Sequence, residues 1–160
     1  MILQIPSKYK TKAEKLGYIG EALISHHFSG DMSGYQFDRD KDVTLLDGLK
    51  VQVKTQNRHT GKNVFSVNVM SKNAVENCMN VDRLIFVEYD ATSCIKIWEC
   101  TDRETRIFYK TYHGDHMVGW PIDKMHPLKT IYDKELAQQM RSYSQSREFS
   151  LDSPYAFNKF

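Results

Sequence analysis

The chain is poor in the residues that staple or interrupt a fold, with 3 cysteines, 4 prolines and 8 glycines in 160 residues. Cys78, Cys94 and Cys100 are odd in number and lack the short spacings of a zinc site. That argues against a disulfide framework or a zinc cluster and suits buried, reduced thiols in a cytosolic protein. No apolar run reaches the roughly 18 residues of a membrane-spanning helix, so no membrane partner is expected. The opening stretch MILQIPSKYK has no basic segment ahead of its apolar patch and no hydrophobic region of useful length. No secretory leader is expected, and the expected location is the cytoplasm. An excess of one charge is missing too. The 22 Lys and Arg against 20 Asp and Glu leave a net charge of +2, which neither requires nor excludes nucleic acid, because a basic patch can be offset elsewhere.

What is present is the composition of one globular domain, 41% hydrophobic and 26% charged, long enough to bury a core. In TKAEKLGYIGEALISHHF, residues 11–28, Leu16, Ile19, Leu23 and Phe28 recur at helical spacing. Thr11 and Glu14 form a capping-box pattern at its start. A hairpin is expected over about 42–46 and 49–56, and a third strand in VFSVNVM. SKNAVENCM reads as a short helix capped by Ser71. RLIFVEYD is nearly continuous in apolar residues, as in a central strand covered on both faces, and CIKIWEC alternates. From Thr101 to Pro127 the pattern weakens to one or two short strands. DKELAQQMRSYSQ reads as a helix capped by Asp133. No internal repeat or linker splits the chain. The expected class is α+β (α/β-like), with a mixed central sheet flanked by helices.

The hairpin KDVTLLDGLKVQVKTQ, residues 41–56, admits two registers. Asp47-Gly48 suggests a two-residue turn. That turn would place Asp42 opposite Val53, and both faces would mix apolar and charged groups, which buries a core poorly. A three-residue loop with Gly48 in the left-handed region as a bulge shifts the register by one. Asp42 then faces Gln52. Val43, Leu45, Leu49, Val51 and Val53 share one face, and Asp42, Thr44, Lys50, Gln52 and Lys54 share the other. Segregation favours the bulged loop. The bland interpretation of its polar face is a solvated sheet surface.

Glu21 stands in the apolar stretch of the first helix, beside Gly20. Gly17 and Gly20 each weaken a helix by about 1 kcal/mol relative to Ala, so a packing reason such as close approach to a sheet is expected. An acid on the first helix, an Asp at a strand start and then (Asp/Glu)-x-Lys on the next strand is the signature of the PD-(D/E)XK nucleases. Glu21, Asp42 and Gln52-Val53-Lys54 resemble it in order, spacing and hairpin context. VQVKTQ is similar to the segment of the small intron-encoded homing endonucleases, which carry Gln in the acidic slot. Archaeal-type Holliday junction resolvases share the layout but keep Glu there. The resemblance covers about residues 12–100. Two positions depart from the pattern: Lys41 stands where Pro is usual, and Gln52 replaces an acid.

The resemblance implies a restriction-endonuclease-like core over 1–100, with 101–160 as an extension of the same domain for specificity or oligomer contacts. It implies Mg²⁺-dependent hydrolysis of double-stranded DNA, site-specific and homing-like, with Mn²⁺ as a substitute. Glu21, Asp42, Gln52 and Lys54 would be catalytic, and Asp42, Glu21 and the Val53 carbonyl would hold the metal. Mg²⁺ commonly takes one or two carboxylates plus waters and phosphate oxygens. The alternatives are a structure-specific junction or repair nuclease and an inactive DNA-binding protein of the same fold. Gln56, Arg58, His59 and Lys62 follow the catalytic strand as candidate DNA contacts, against a plain solvated turn. Lys8, Lys10, Lys12 and Lys15 form a basic strip. Arg103, Arg106, Lys110, Arg141 and Arg147 suit DNA or a subunit interface. His113 and His116 lack further ligands for zinc, and Trp98 and Trp120 read as core. One small domain with one site needs a second copy to cut both strands, so a homodimer or larger even homo-oligomer is expected.

Overall fold

The computed structural model describes residues 1–28, 43–45, 47–57, 64–69, 74–89, 93–111 and 114–144, and the backbone of 156–158. In chain order the elements are α1 (Lys12–His27), β1 (Val43–Thr44), β2 (Lys50–Gln56), β3 (Val64–Asn68), α2 (Ala74–Asn80) and β4 (Arg83–Tyr89). There follow β5 (Cys94–Cys100), β6 (Ile107–Lys110), β7 (His116–Pro121), β8 (Met125–Tyr132), α3 (Lys134–Ser142) and β9 (Ala156–Asn158). The class is α+β.

A five-stranded mixed sheet runs β1-β2-β4-β5-β8, and a four-stranded antiparallel sheet runs β3-β7-β6-β9. β2 and β4 are parallel, with Gln52 beside Leu84, Lys54 beside Phe86 and Gln56 beside Glu88. Strand alternation sends Val51 and Val53 one way, into a core with Leu16, Ile19 and Ile24 of α1 and Leu136, Ala137 and Met140 of α3. Leu84 and Phe86 face the other way, against Phe65, Val118 and Trp120 of the second sheet. The Phe65 and Phe86 rings stack at 4.8 Å. β4 is therefore covered on both faces, as its apolar run requires, and Trp120 is core, with Trp98 packed beside it.

Local chemistry sets the element ends. Thr11 Oγ1 accepts from the Glu14 amide (3.1 Å), and Glu14 Oε1 accepts from the Thr11 amide (3.3 Å), which closes the expected capping box. Asp133 Oδ1 accepts from the Leu136 amide at 3.0 Å and caps α3. Each such cap is worth about 1 kcal/mol. Ser71, the expected cap of α2, lies outside the described residues.

The hairpin takes the bulged register. Val43 opposes Val51 and Thr44 opposes Lys50. The Gly48 amide donates to Leu45 O, the Leu45 amide donates to Leu49 O, and Gly48 has φ +86°. Val43, Leu45, Val51 and Val53 enter the core beneath α1, but Leu49, expected on that face, is exposed.

Among the described residues three strands, β6, β7 and β8, begin between Thr101 and Pro127, where one or two were expected. β3 also leaves its hairpin neighbours and pairs with β7. β8 forms the free margin of the central sheet and is exposed along most of its length. Pro127 lacks an amide, and the ladder with β5 shifts register between Ile97 and Trp98, opposite it. β8 and α3, from the expected extension, complete the central sheet and its core. None of the three cysteines is in a disulfide, and Cys78 and Cys100 are buried. Among the described residues no helix is long and apolar enough to cross a membrane.

Candidate active site

Alternation would leave every second side chain of β2 pointing away from α1, and a solvated polar face would be the simplest outcome. The second sheet prevents it at Gln52, which is only 3% exposed. Gln56 is fixed more firmly. Its Nε2 donates to Ser66 O at 2.9 Å and its Oε1 accepts from the Ser66 amide at 2.8 Å, so the carboxamide mimics a strand neighbour for β3. Both polar ends of Gln56 are engaged in joining the two sheets, whereas it was expected to contact DNA.

On the opposite side α1 lies unusually close to β2. A β-carbon at Gly20 would stand 1.8 Å from Thr55 Oγ1, so only glycine permits this approach. The close contact brings Glu21, itself 7% exposed, down against the sheet. A buried carboxylate is costly unless a cation or hydrogen bonds compensate it.

A cavity of about 580 Å³ opens between α1 and the C-terminal ends of the parallel strands β2 and β4. Glu21, Gly17 and Tyr18 border it from α1, Val53, Lys54, Thr55 and Gln56 from β2, Asn57 from just beyond it, Tyr89 from β4, and Tyr143 and Ser144 from the end of α3. Four consecutive residues of β2 and Asn57 just beyond it contribute, so the cavity wraps an end of β2 instead of lying on one face. This explains how Glu21 and Lys54 border the same space although alternation directs Lys54 away from α1. The crevice beyond the carboxyl ends of parallel strands is a recurrent ligand position. The hydroxyl of Tyr89 donates to Ser144 Oγ at 2.7 Å and ties β4 to the end of α3. Lys15 Nζ stands 5.7 Å from the Tyr143 ring centroid, within cation–π range across the mouth.

The sequence-derived constellation is thus partly assembled. Glu21, Val53, Lys54 and Gln56 meet at the cavity. Gln52 is buried one residue away on β2 and is not among the described residues that line it. Asp42, Arg58, His59 and Lys62 lie outside the described residues, as do His113 and Arg147. For a hard cation such as Mg²⁺, the Glu21 carboxylate and the backbone oxygen of Val53 are suitable donors, and the set needs Asp42 to supply a second carboxylate. Among the described residues no group of three or more His, Cys, Asp and Glu could hold a metal ion.

Two features escaped the sequence. Tyr18, Tyr89 and Tyr143 converge on the cavity from three separate elements, and the only local hint was Gly17 inside a helix. Arg103, expected at DNA or an interface, instead donates to the Met79, Val81 and Asp82 carbonyls around the end of α2. Met79 is one of the acceptors a helix C-terminus leaves open, and Val81 and Asp82 follow directly after α2. Arg106 pairs with Glu104 at 3.1 Å.

No protein-family model, curated protein or solved structure matches the chain.

Proposed function

We propose that the protein is a Mg²⁺-dependent endonuclease hydrolysing phosphodiester bonds in double-stranded DNA, with a PD-(D/E)XK-type site and Mn²⁺ as a substitute metal. The observation that carries the proposal is that Glu21 of α1 and Lys54 of β2, 33 positions apart in the chain, line one cavity. Glu21, Asp42 and the Val53 carbonyl would hold the ion. A bound divalent ion polarises the phosphoryl oxygen and lowers the pKa of water. The Lys54 ammonium orients the attacking water and stabilises charge developing on the phosphoryl oxygens. A single chain offers one such site, so cutting both strands calls for a homodimer or larger even homo-oligomer.

A catalytically inactive DNA-binding protein of the same fold is the second candidate. The position of Gln52, buried and off the cavity wall, favours it. Plasmid nicking with Mg²⁺ by wild type and Lys54→Ala tests the two. A functional nuclease nicks supercoiled DNA, and Lys54→Ala loses about 10²-fold or more in rate. Equal rates remove Lys54 from the site, and no nicking of supercoiled, linear or branched DNA leaves the inactive protein.

A further inference from the structure

Resting on the nuclease assignment, we infer that the cavity between α1 and the ends of β2 and β4 takes a single unpaired nucleotide, its base against Tyr18 and Tyr143 and its phosphate toward Lys54. The substrate class is then DNA with a single-stranded, branched or extrahelical segment beside the cut. Three observations support this.

The first is the wall. Tyr18, Tyr89 and Tyr143 come from α1, β4 and the end of α3 to one space. Tyr89, only 2% exposed, closes the back of the wall and is held by its bond to Ser144, while the partly exposed Tyr18 is backed by the Tyr9 ring at 4.8 Å. The partly exposed rings of Tyr18 and Tyr143 are the ones that can stack on a base, and on any base, because every base offers a π-face. A base inside a duplex has both faces covered by its neighbours and must leave the stack to use such a wall.

The second is room. The cavity of about 580 Å³ falls in the ordinary range for a bound small molecule. Gly17 borders it, and a β-carbon there would meet nothing within 4 Å. Unlike Gly20, this helical glycine has no packing partner to explain it, and its missing side chain enlarges the space.

The third is charge. Lys8, Lys10 and Lys12 are exposed at the end of the chain segment that leads into the cavity wall. Lys15 lies over Tyr143 at the mouth. The described lining itself carries Lys54 and two carboxylates, Glu14 and Glu21, so the lysines outside the cavity meet the strand's backbone while the rings within take the base, the two parts of a single-strand binding site.

The test is fluorescence anisotropy in EDTA, where no strand is cut. The probes are a labelled oligo-dT and an oligomer of the same length made of abasic deoxyribose phosphates. Wild type should bind oligo-dT about tenfold or more tighter than the abasic strand. Gly17→Phe, which fills the cavity, and Tyr143→Ala, which removes one ring, should each erase most of that difference while leaving the weak, salt-sensitive abasic binding. Circular dichroism melts establish that each variant is folded, and two unrelated variants guard against one failing to fold. Equal binding of the two strands by wild type, a base preference untouched in both folded variants, or no binding at all overturns the proposal. Failure of the nuclease assignment alone would appear differently, as intact plasmid in Mg²⁺ with the base preference unchanged.

Discussion

Gly20 and Thr55 touch so closely that a β-carbon at position 20 would lie 1.8 Å from Thr55 Oγ1 and 3.0 Å from Thr55 Cβ. Gly20→Ala gains about 1 kcal/mol in helix propensity but must push α1 off β2, at an overpacking cost of about 1–3 kcal/mol or more. A net loss of roughly 1–2 kcal/mol is expected in urea denaturation. Thr55→Ala removes the 1.8 Å clash and leaves the 3.0 Å contact, so the double variant should recover most of that loss, a coupling that a double-mutant cycle measures. Gly17→Ala meets nothing and should stabilise by about 0.5–1 kcal/mol. If both glycine variants respond alike, the close contact of α1 with β2 is wrong.

Gln56 holds β3 through a donor and an acceptor on one carboxamide. Gln56→Glu keeps the acceptor and, when ionised, turns an oxygen toward Ser66 O. Its protonated form still donates there. The introduced acid is thus favoured neutral in the fold, and its folded pKa rises above the unfolded value. Stability should be close to wild type below about pH 4 and should fall as pH rises through the folded pKa, by roughly 1–3 kcal/mol at neutral pH. Thermal melts of both proteins across that range check this. A loss independent of pH would mean that the Ser66 carbonyl is not its partner.

Burial pushes the Cys100 thiol up from its ordinary 9.0 to about 11. The neutral thiol is favoured in the fold, so its contribution is complete below pH 9 and is lost as pH rises from 9 toward 11. Tyr89 and Tyr109 are also raised by burial, so the informative quantity is a difference. The stability gap between wild type and Cys100→Ala should narrow from about pH 8 to about pH 10.5. Thiol labelling of the native protein should reach the partly exposed Cys94 and spare Cys100 until urea unfolds it. Rapid native labelling of Cys100 would contradict its burial.

The hairpin register was readable because only one choice separates apolar from polar side chains, and Gly48 supplies the left-handed turn it needs. The cap of α1 and the buried strand β4 were readable for similar reasons, since their signals lie within a few residues. The partner of β3 was not, because alternation announces a strand but not its neighbour. β8 was hidden by Pro127 and by its exposed side chains, which free sheet margins tolerate and sequence patterns read as loop. Gln56 and Arg103 look like surface polar residues in sequence. Their carbonyl and amide partners, Ser66 and the end of α2, come near only on folding. Glu21 was legible as an acid misplaced on an apolar helix face, whereas the three tyrosines beside it share no local pattern.

Gln52 decides between an active and an inactive site, because it occupies the acidic slot of the resembled motif yet is buried beside Leu84. Gln52→Glu is nearly isosteric and adds a charge where solvent is scarce. Without metal it should cost roughly 1–3 kcal/mol at neutral pH, and the loss should vanish under acid conditions where the carboxyl is neutral. If position 52 borders a metal site, Mg²⁺ binds the acidic variant more tightly, and mass action raises its Tm more than that of wild type. Melts of wild type, Gln52→Glu and Gln52→Leu in EDTA and in Mg²⁺ separate the cases. A Mg²⁺-dependent rise largest in Gln52→Glu, and smallest in Gln52→Leu, supports a metal at this strand. An equal response in all three proteins places the ion away from position 52.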